Sequence, residues 1–455
     1  MTFRPLIFVL ALSAATLRTG VVARAAEPLT PESAVATAIL NHPALRAADR
    51  EVDAAEADGK LARSGRLPRV DVTEDWIRST NPVFVFASKL GQERFAATDF
   101  DLGALNRPDP FTNATTRAVL RQNVWDAGRT RLYGKAAALG VEASTDSRAR
   151  TRDEVAFDAI RAFWDAVLAG KMLEVAQSAE EAAKASADLA KRHEEAGLAV
   201  ASDRMAAEVR LAEVRVMRLR ADQGATVARA ALRPALGLTE DREFELMPPA
   251  IEPEPPADDT EARVVEALLL RPDLRSLEVR LGQAEIGERI ARSHRLPEVG
   301  VGAQYEWNGH APLSSDGGNW SAGLSVRVPV FDGFETAARA ARSRAERERL
   351  EAFRDAAREG IRLEVRAAWA DRVAAGERLR VSVSALAEAE EALRIVRDRY
   401  DEGMALMVEL LGAETARTSA QANRVAADRD LAMSAAVLDL ATGRGAAART
   451  GGRER

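Results

Sequence analysis

Residues 62–72 read ARSGRLPRVDV, and residues 291–301 read ARSHRLPEVGV. Each begins like the end of a helix and closes on alternating apolar residues, with a Leu-Pro pair between. Proline lacks an amide donor and pushes the preceding residue toward extended geometry, so Pro68 and Pro297 stop a helix and open a strand. The same helix-to-strand junction is written twice, 229 residues apart.

The repeat extends outward from the junction. Residues 38–72 match 267–301 at 15 of 35 positions, among them Pro43 with Pro272, Leu45 with Leu274 and Arg46 with Arg275. A second ungapped alignment, offset by 206, pairs Trp125-Asp126 with Phe331-Asp332, Gly197 with Gly403, Asp203 with Glu409, Glu208 with Glu414 and Gly237 with Gly443. The chain reads as a tandem duplication. The offsets differ by 23, which places an insertion of that length in the first half, within ASKLGQERFAATDFDLGALNRPDP at 87–110.

Each half carries one long helical run. No proline occurs between Pro110 and Pro234 or after Pro329, and alanine, leucine, arginine and glutamate dominate there. Small and apolar residues recur at three-four spacing in Val155, Ala159, Ala162, Ala166, Ala169, Leu173 and Ala176, and again in Leu386, Ala389, Leu393, Val396 and Tyr400. That is a coiled-coil seam, and a soluble helical bundle fits it equally well. The runs break once per half, at EEAGLAVASD and DEGMALMVEL. A helix from Arg129 to Glu195 is about 100 Å long, and a return from Ala201 to Leu236 is only about half that. The missing length is supplied by a helix over Pro43 to Ser64, stacked end to end on the return arm, and by Pro272 to Ser293 in the second half.

After each junction the period changes to two. In VGVGAQYEW, Val299, Val301, Ala303, Tyr305 and Trp307 share a face; in WSAGLSVRVPVF, Trp320, Ala322, Leu324, Val326, Val328 and Val330 do. The first-half strands, Val70 to Trp76 and TRAVLRQNVW, alternate less cleanly. A half-solvated sheet of a soluble protein gives such alternation, as does a transmembrane barrel strand with tryptophan at its ends. Four strands cannot close a barrel alone, so a membrane reading demands several chains.

Composition narrows the rest. With 64 basic and 70 acidic side chains, nothing favours nucleic acid, and with no cysteine there are neither disulfides nor thiolate chemistry. Residues 1–25, with Arg4, the apolar PLIFVLALSAATL and Ala23-Arg24-Ala25, read as a signal peptide. Two repeats follow, 26–237 and 263–443, joined by a Pro-rich, extended linker at 238–262 that is placed on the outside of the helical assembly. The tail 444–455 reads as disordered. His193-Glu194-Glu195 is not a zinc-protease motif, and no dinucleotide loop, phosphate loop or catalytic set occurs. The reading is no enzyme, no cofactor and no metal centre.

This order of parts resembles the TolC family of outer-membrane efflux proteins, across nearly the whole mature chain. The resemblance rests on the duplicated RLP junctions, VWDAG and VFDGF at the strand-to-helix returns, RYDEG at 399–403 and LDLATG ending at Gly443. It implies a mainly α fold with a membrane β-barrel part. Helical hairpins of three chains would form an α-barrel, and four strands per chain a shared twelve-stranded trimeric barrel. It implies a passive duct in the outer membrane, contacting its lipids, with a large periplasmic part, a periplasmic adaptor and an inner-membrane pump as partners.

By position, Asp203 and Tyr400 match a hydrogen-bonded pair that holds the resting channel shut, and Glu409 an acidic ring at the constriction. The turns Gly197-Leu198-Ala199 and Gly403-Met404-Ala405 match the adaptor-contacting tips. Ala405 and Gly412 stand where the family has an arginine and a second acidic ring, which leaves a looser gate or charge supplied by Arg204. The loop 81–113 is expected to face outside the cell. The rival reading is a soluble periplasmic coiled-coil adaptor or scaffold, although an adaptor would carry one hairpin and not two.

Overall fold

The computed structural model describes residues 27–239, 242–250 and 259–445. The expected signal peptide, the middle of the expected linker and nearly all of the expected tail lie outside the described residues. The first half runs β1 (Glu27–Leu29), α1 (Pro31–Asn41), α2 (Pro43–Ser64), β2 (Arg69–Ser79), α3 (Pro82–Gly91), α4 (Leu102–Asn106), β3 (Phe111–Trp125), α5 (Arg129–Glu195) and α6 (Ala201–Ala235). The second runs β4 (Phe244–Leu246), α7 (Thr260–Leu270), α8 (Pro272–Ser293), β5 (Glu298–Gly309), β6 (Gly317–Arg327), α9 (Glu335–Asp401) and α10 (Met407–Thr442).

These elements stand in four columns. The strands form one antiparallel sheet in the order β2-β3-β5-β6, and α2, α5, α8 and α9 lie side by side in the order of the strands they adjoin. On the far side α6 packs on α5, and α10 packs on both α5 and α9. The stacking expected from helix lengths is present. α6 ends where α2 begins, so closely that a Cβ on Gly237 would lie 2.6 Å from His42 Cα; a Cβ on Gly443, after α10, would lie 3.0 Å from the Arg271 nitrogen, before α8. Two columns are therefore jointed, and the columns of α5 and α9, 67 residues each, are continuous.

The largest core lies at the first joint. α1 bridges it, placing Ala34, Val35 and Ala38 against Phe163 and Trp164 of α5, with Leu232 and Leu236 from the end of α6. α7 does the same at the second joint, with Val264 and Ala267 packed near Ile361 and Val365 of α9. Three residues of the linker, Phe244–Leu246, pair in parallel with Glu27–Leu29, a contact too short to leave a sequence pattern.

The sheet sorts its faces over all four strands. Register places Val70, Val72, Trp76, Ala118, Leu120, Val301, Ala303, Tyr305, Trp320 and Leu324 on one face, and Asp71, Arg117, Arg121, Gln304, Glu306 and Ser321 on the other. Two details differ from expectation. β6 ends at Arg327, so Val328 and Val330 lie outside it, because Pro329 cannot donate to the ladder. The segment 81–113 is not a plain loop. It holds α3, a 3₁₀ turn and α4 around edge-to-face Phe86, Phe95 and Phe100 rings, and the Gln92 amide donates to the carbonyls of Thr112 and Gly309.

Both returns from strand to helix use one device. Ala127 and Gly128, and likewise Gly333 and Phe334, adopt positive φ, and the preceding aspartate accepts the backbone N–H four residues on: Thr130 to Asp126 at 2.8 Å and Thr336 to Asp332 at 2.9 Å. The carboxylate thereby caps a helix start that would otherwise leave donors free.

Candidate functional site

Far from the sheet, the two hairpins turn through the same closure. Gly197 and Gly403 sit at φ 74° and 73°, where only glycine is unstrained. Gly197 N–H donates to Glu194 and Leu198 N–H to His193; Gly403 N–H donates to Tyr400 and Met404 N–H to Arg399. These paired bonds satisfy carbonyls that a helix end leaves free. Each return helix then carries an acidic residue at its third position, Asp203 or Glu409, where the positive end of the helix favours it. Leu198, Val200, Met404, Leu406 and Val408 stand exposed around the turns, with Ala199 and Ala405 half-buried.

Just inside the tips, Ala190 of α5, Ala207 of α6, Tyr400 of α9, and Met407 and Leu410 of α10 share one small core. Tyr400 is 5% exposed and its ring stacks on His193 at 5.5 Å. Among the described residues its hydroxyl has no hydrogen-bond partner. Burial, then the negative charges of Asp203 and Asp401, push that hydroxyl above the usual phenol range. Asp203 and Tyr400 thus share a neighbourhood without a bond joining them, and Glu409 is exposed. Arg204 is already engaged: it donates to Glu194 at 2.6 Å and Glu208 at 2.8 Å, bracing α6 against α5.

The residue that sequence reasoning passed over is Glu414. It is 5% exposed, accepts from Ser186 Oγ of α5 at 2.6 Å and pairs with Arg397 of α9 at 3.4 Å, so it links the second hairpin to the first. Its repeat mate Glu208 is exposed and paired within its own hairpin. The only signal for Glu414 was that equivalence, which gives position and says nothing of burial.

The model of the family described as "Outer membrane efflux protein" matches residues 34–238 and 264–444. Protein CyaE of Bordetella pertussis is 26% identical over 396 residues, covering 86% of this chain and 79% of that protein. Among solved structures, CusC superposes with a TM-score of 0.78 at 16% identity, covering 91% of this chain and 92% of that one. The Campylobacter jejuni CmeC outer membrane channel gives 0.77 at 16% identity, with 91% and 85% covered. The open state of the Neisseria gonorrhoeae MtrE outer membrane channel gives 0.71 at 18%, with 91% and 88% covered.

The chain belongs to the outer membrane efflux protein family. It is an outer-membrane exit duct for efflux or secretion, with a large helical tunnel on the periplasmic side. The rival reading of a soluble adaptor falls with that membership. The fold and family are those of channel proteins, and the family works with a periplasmic adaptor and an inner-membrane pump.

Proposed function

We propose that three copies close the duct, that it is a passive conduit without catalytic chemistry or cofactor, and that the tip turns are its gate and its docking face. The observation that carries the reading is the sheet: four strands, one apolar face, and two edges, β2 and β6, with no strand partner among the described residues. A strand edge cannot be left open in lipid, so β2 of one copy pairs with β6 of the next, and head-to-tail pairing closes a ring. The helices repeat the argument, with α2 and α6 on one flank and α9 on the other. Three chains would supply twelve strands and, at any level of the tunnel, twelve helices.

In this reading the exposed apolar turns Gly197-Leu198-Ala199 and Gly403-Met404-Ala405 receive the periplasmic adaptor, and the inner-membrane pump supplies the energy. Asp203, Tyr400 and Glu409 form the constriction. Pro68 and Pro297 mark the level at which tunnel becomes barrel, and the repeats 26–237 and 263–443 are its two staves. Asp203→Ala or Tyr400→Phe is expected to raise single-channel conductance in planar bilayers. Wild-type conductance in both removes these residues from the gate. A wholly soluble periplasmic monomer on fractionation would sink the trimeric assembly.

A further inference from the structure

The polar face of the sheet is not uniform along its length. Nearest the helices, Arg327 stands opposite Glu298; farther along, Arg69 pairs in register with Arg121, and the same row continues across two glycines, Gly302 and Gly323. Toward the far end charges are matched, with Arg117 on Glu306 at 3.1 Å. At the near end they are not. Glu298 is taken by Arg129 at 2.7 Å, and Asp126 is committed to capping Thr130. Asp71 reaches Arg121 at 3.2 Å, and among the described residues Arg69 and Arg327 have no acidic partner. Arg69, Arg121 and Arg327, with Glu298, Asp126 and the two glycines, border one cavity of about 900 Å³, and a Cβ on Gly323 would meet nothing within 4 Å.

We infer that this end of the barrel lumen is an anion-binding belt, which takes phosphate- or carboxylate-bearing cargo and favours anions over cations. The inference rests on the sheet closing with other copies as proposed above. Arg69 lies on β2 and Arg327 on β6, so the two unpartnered guanidinium groups stand on the strands that meet at every seam. Closure brings them together on the water-filled side and repeats the belt around the axis. Rings of arginine are how a pore selects anions, and a guanidinium grips a phosphate through a fork of donors. Arginine at this level also costs little, because the face it occupies is wet.

The test uses the full-length channel in planar bilayers, with inorganic pyrophosphate as blocker and the reversal potential under a KCl gradient as second readout. Removing the charge in the double variant Arg69→Gln/Arg327→Gln is expected to weaken pyrophosphate block on the order of tenfold and to move the reversal potential toward cation preference. Asp71→Asn, which frees Arg121, is expected to do the opposite, and no folding defect mimics that gain. Block and reversal potential unchanged in conducting channels of both variants would overturn the belt and leave the duct intact. A wild-type protein that forms no conducting pore at all would instead overturn the closure on which the belt depends.

Discussion

The two hairpin tips share one backbone and differ in what they hold. The first is braced on itself, through Arg204 between Glu194 and Glu208; the second is braced on its neighbour, through Glu414 on Ser186. The two joints differ in the same way. At the first, the His42 side chain bonds locally, its Nδ1 accepting from Ala44 N–H; at the second, the equivalent residue is Arg271, 4% exposed, donating to Asp273, Glu364 and the Ala441 carbonyl. Duplication kept whatever backbone geometry dictates: prolines at the junctions, aspartates at the helix starts, glycines at the turns. It let the polar partners drift, so at the second joint charged bonds tie the helices together where the first joint relies on packing.

Breaking the shared geometry has the largest expected effect. Gly237→Ala forces a Cβ against the His42 backbone at positive φ and is expected to cost about 4 kcal/mol, adding left-handed strain to overpacking. Gly197→Ala meets open space and costs about 1 kcal/mol, the strain alone. Thermal unfolding of the detergent-solubilised protein separates the two, and equal losses would show that the joint is not tight.

Next comes the clamp that one joint has and the other lacks. Arg271→Ala leaves Asp273 and Glu364 without their cation and is expected to cost about 3 kcal/mol, against about 1 kcal/mol for the cap lost in His42→Ala. Burial alone would raise the Asp273 carboxyl, but the bonds from Arg271 outweigh it and hold it below the usual range. Its contribution is therefore complete above the unfolded value of about 3.9 and is lost as pH falls through the lower folded value. Acid titration of stability should flatten in the Arg271→Ala variant below about pH 4; an unaltered acid limb would exclude this pair.

Smaller still is the cross-hairpin bond. Glu414→Ala is expected to cost about 2 kcal/mol, as for a buried bond to a charged group, while Glu208→Ala should leave the melting temperature nearly unmoved. The smallest effect is expected at Tyr400→Phe. Among the described residues its hydroxyl has no partner, so the change should not lower stability, and any change in conductance would trace to contacts that arise on assembly.

How much of this could be read beforehand follows from how local each cause is. Helix bounds at Ser64, Glu195 and Ser293 and the facing of β5 and β6 were legible, because proline, glycine and period-two alternation act within a few residues. The first-half sheet was less legible, since Glu74 and Thr116 interrupt the apolar face of β2 and β3. The fold of 81–113 was hidden because it hangs on Gln92, whose bonding partners lie some 20 and 217 residues away. At the tips, turn geometry was written in Gly197 and Gly403. The burial of Glu414 and the stacking of His193 on Tyr400 depend on which helix faces meet, and two copies of one pattern cannot say that.

The joints have a mechanical consequence. They sit at equivalent heights in alternate columns, beside Val155–Trp164 of α5 and Ile361–Ala368 of α9, and each break is flanked by an unbroken 67-residue rod. A wall laid this way resists stretching along its length yet has one latitude where half its staves are cut. Torque applied at the tips would be spent at that latitude, so the helices below could swing while the sheet above them stays still.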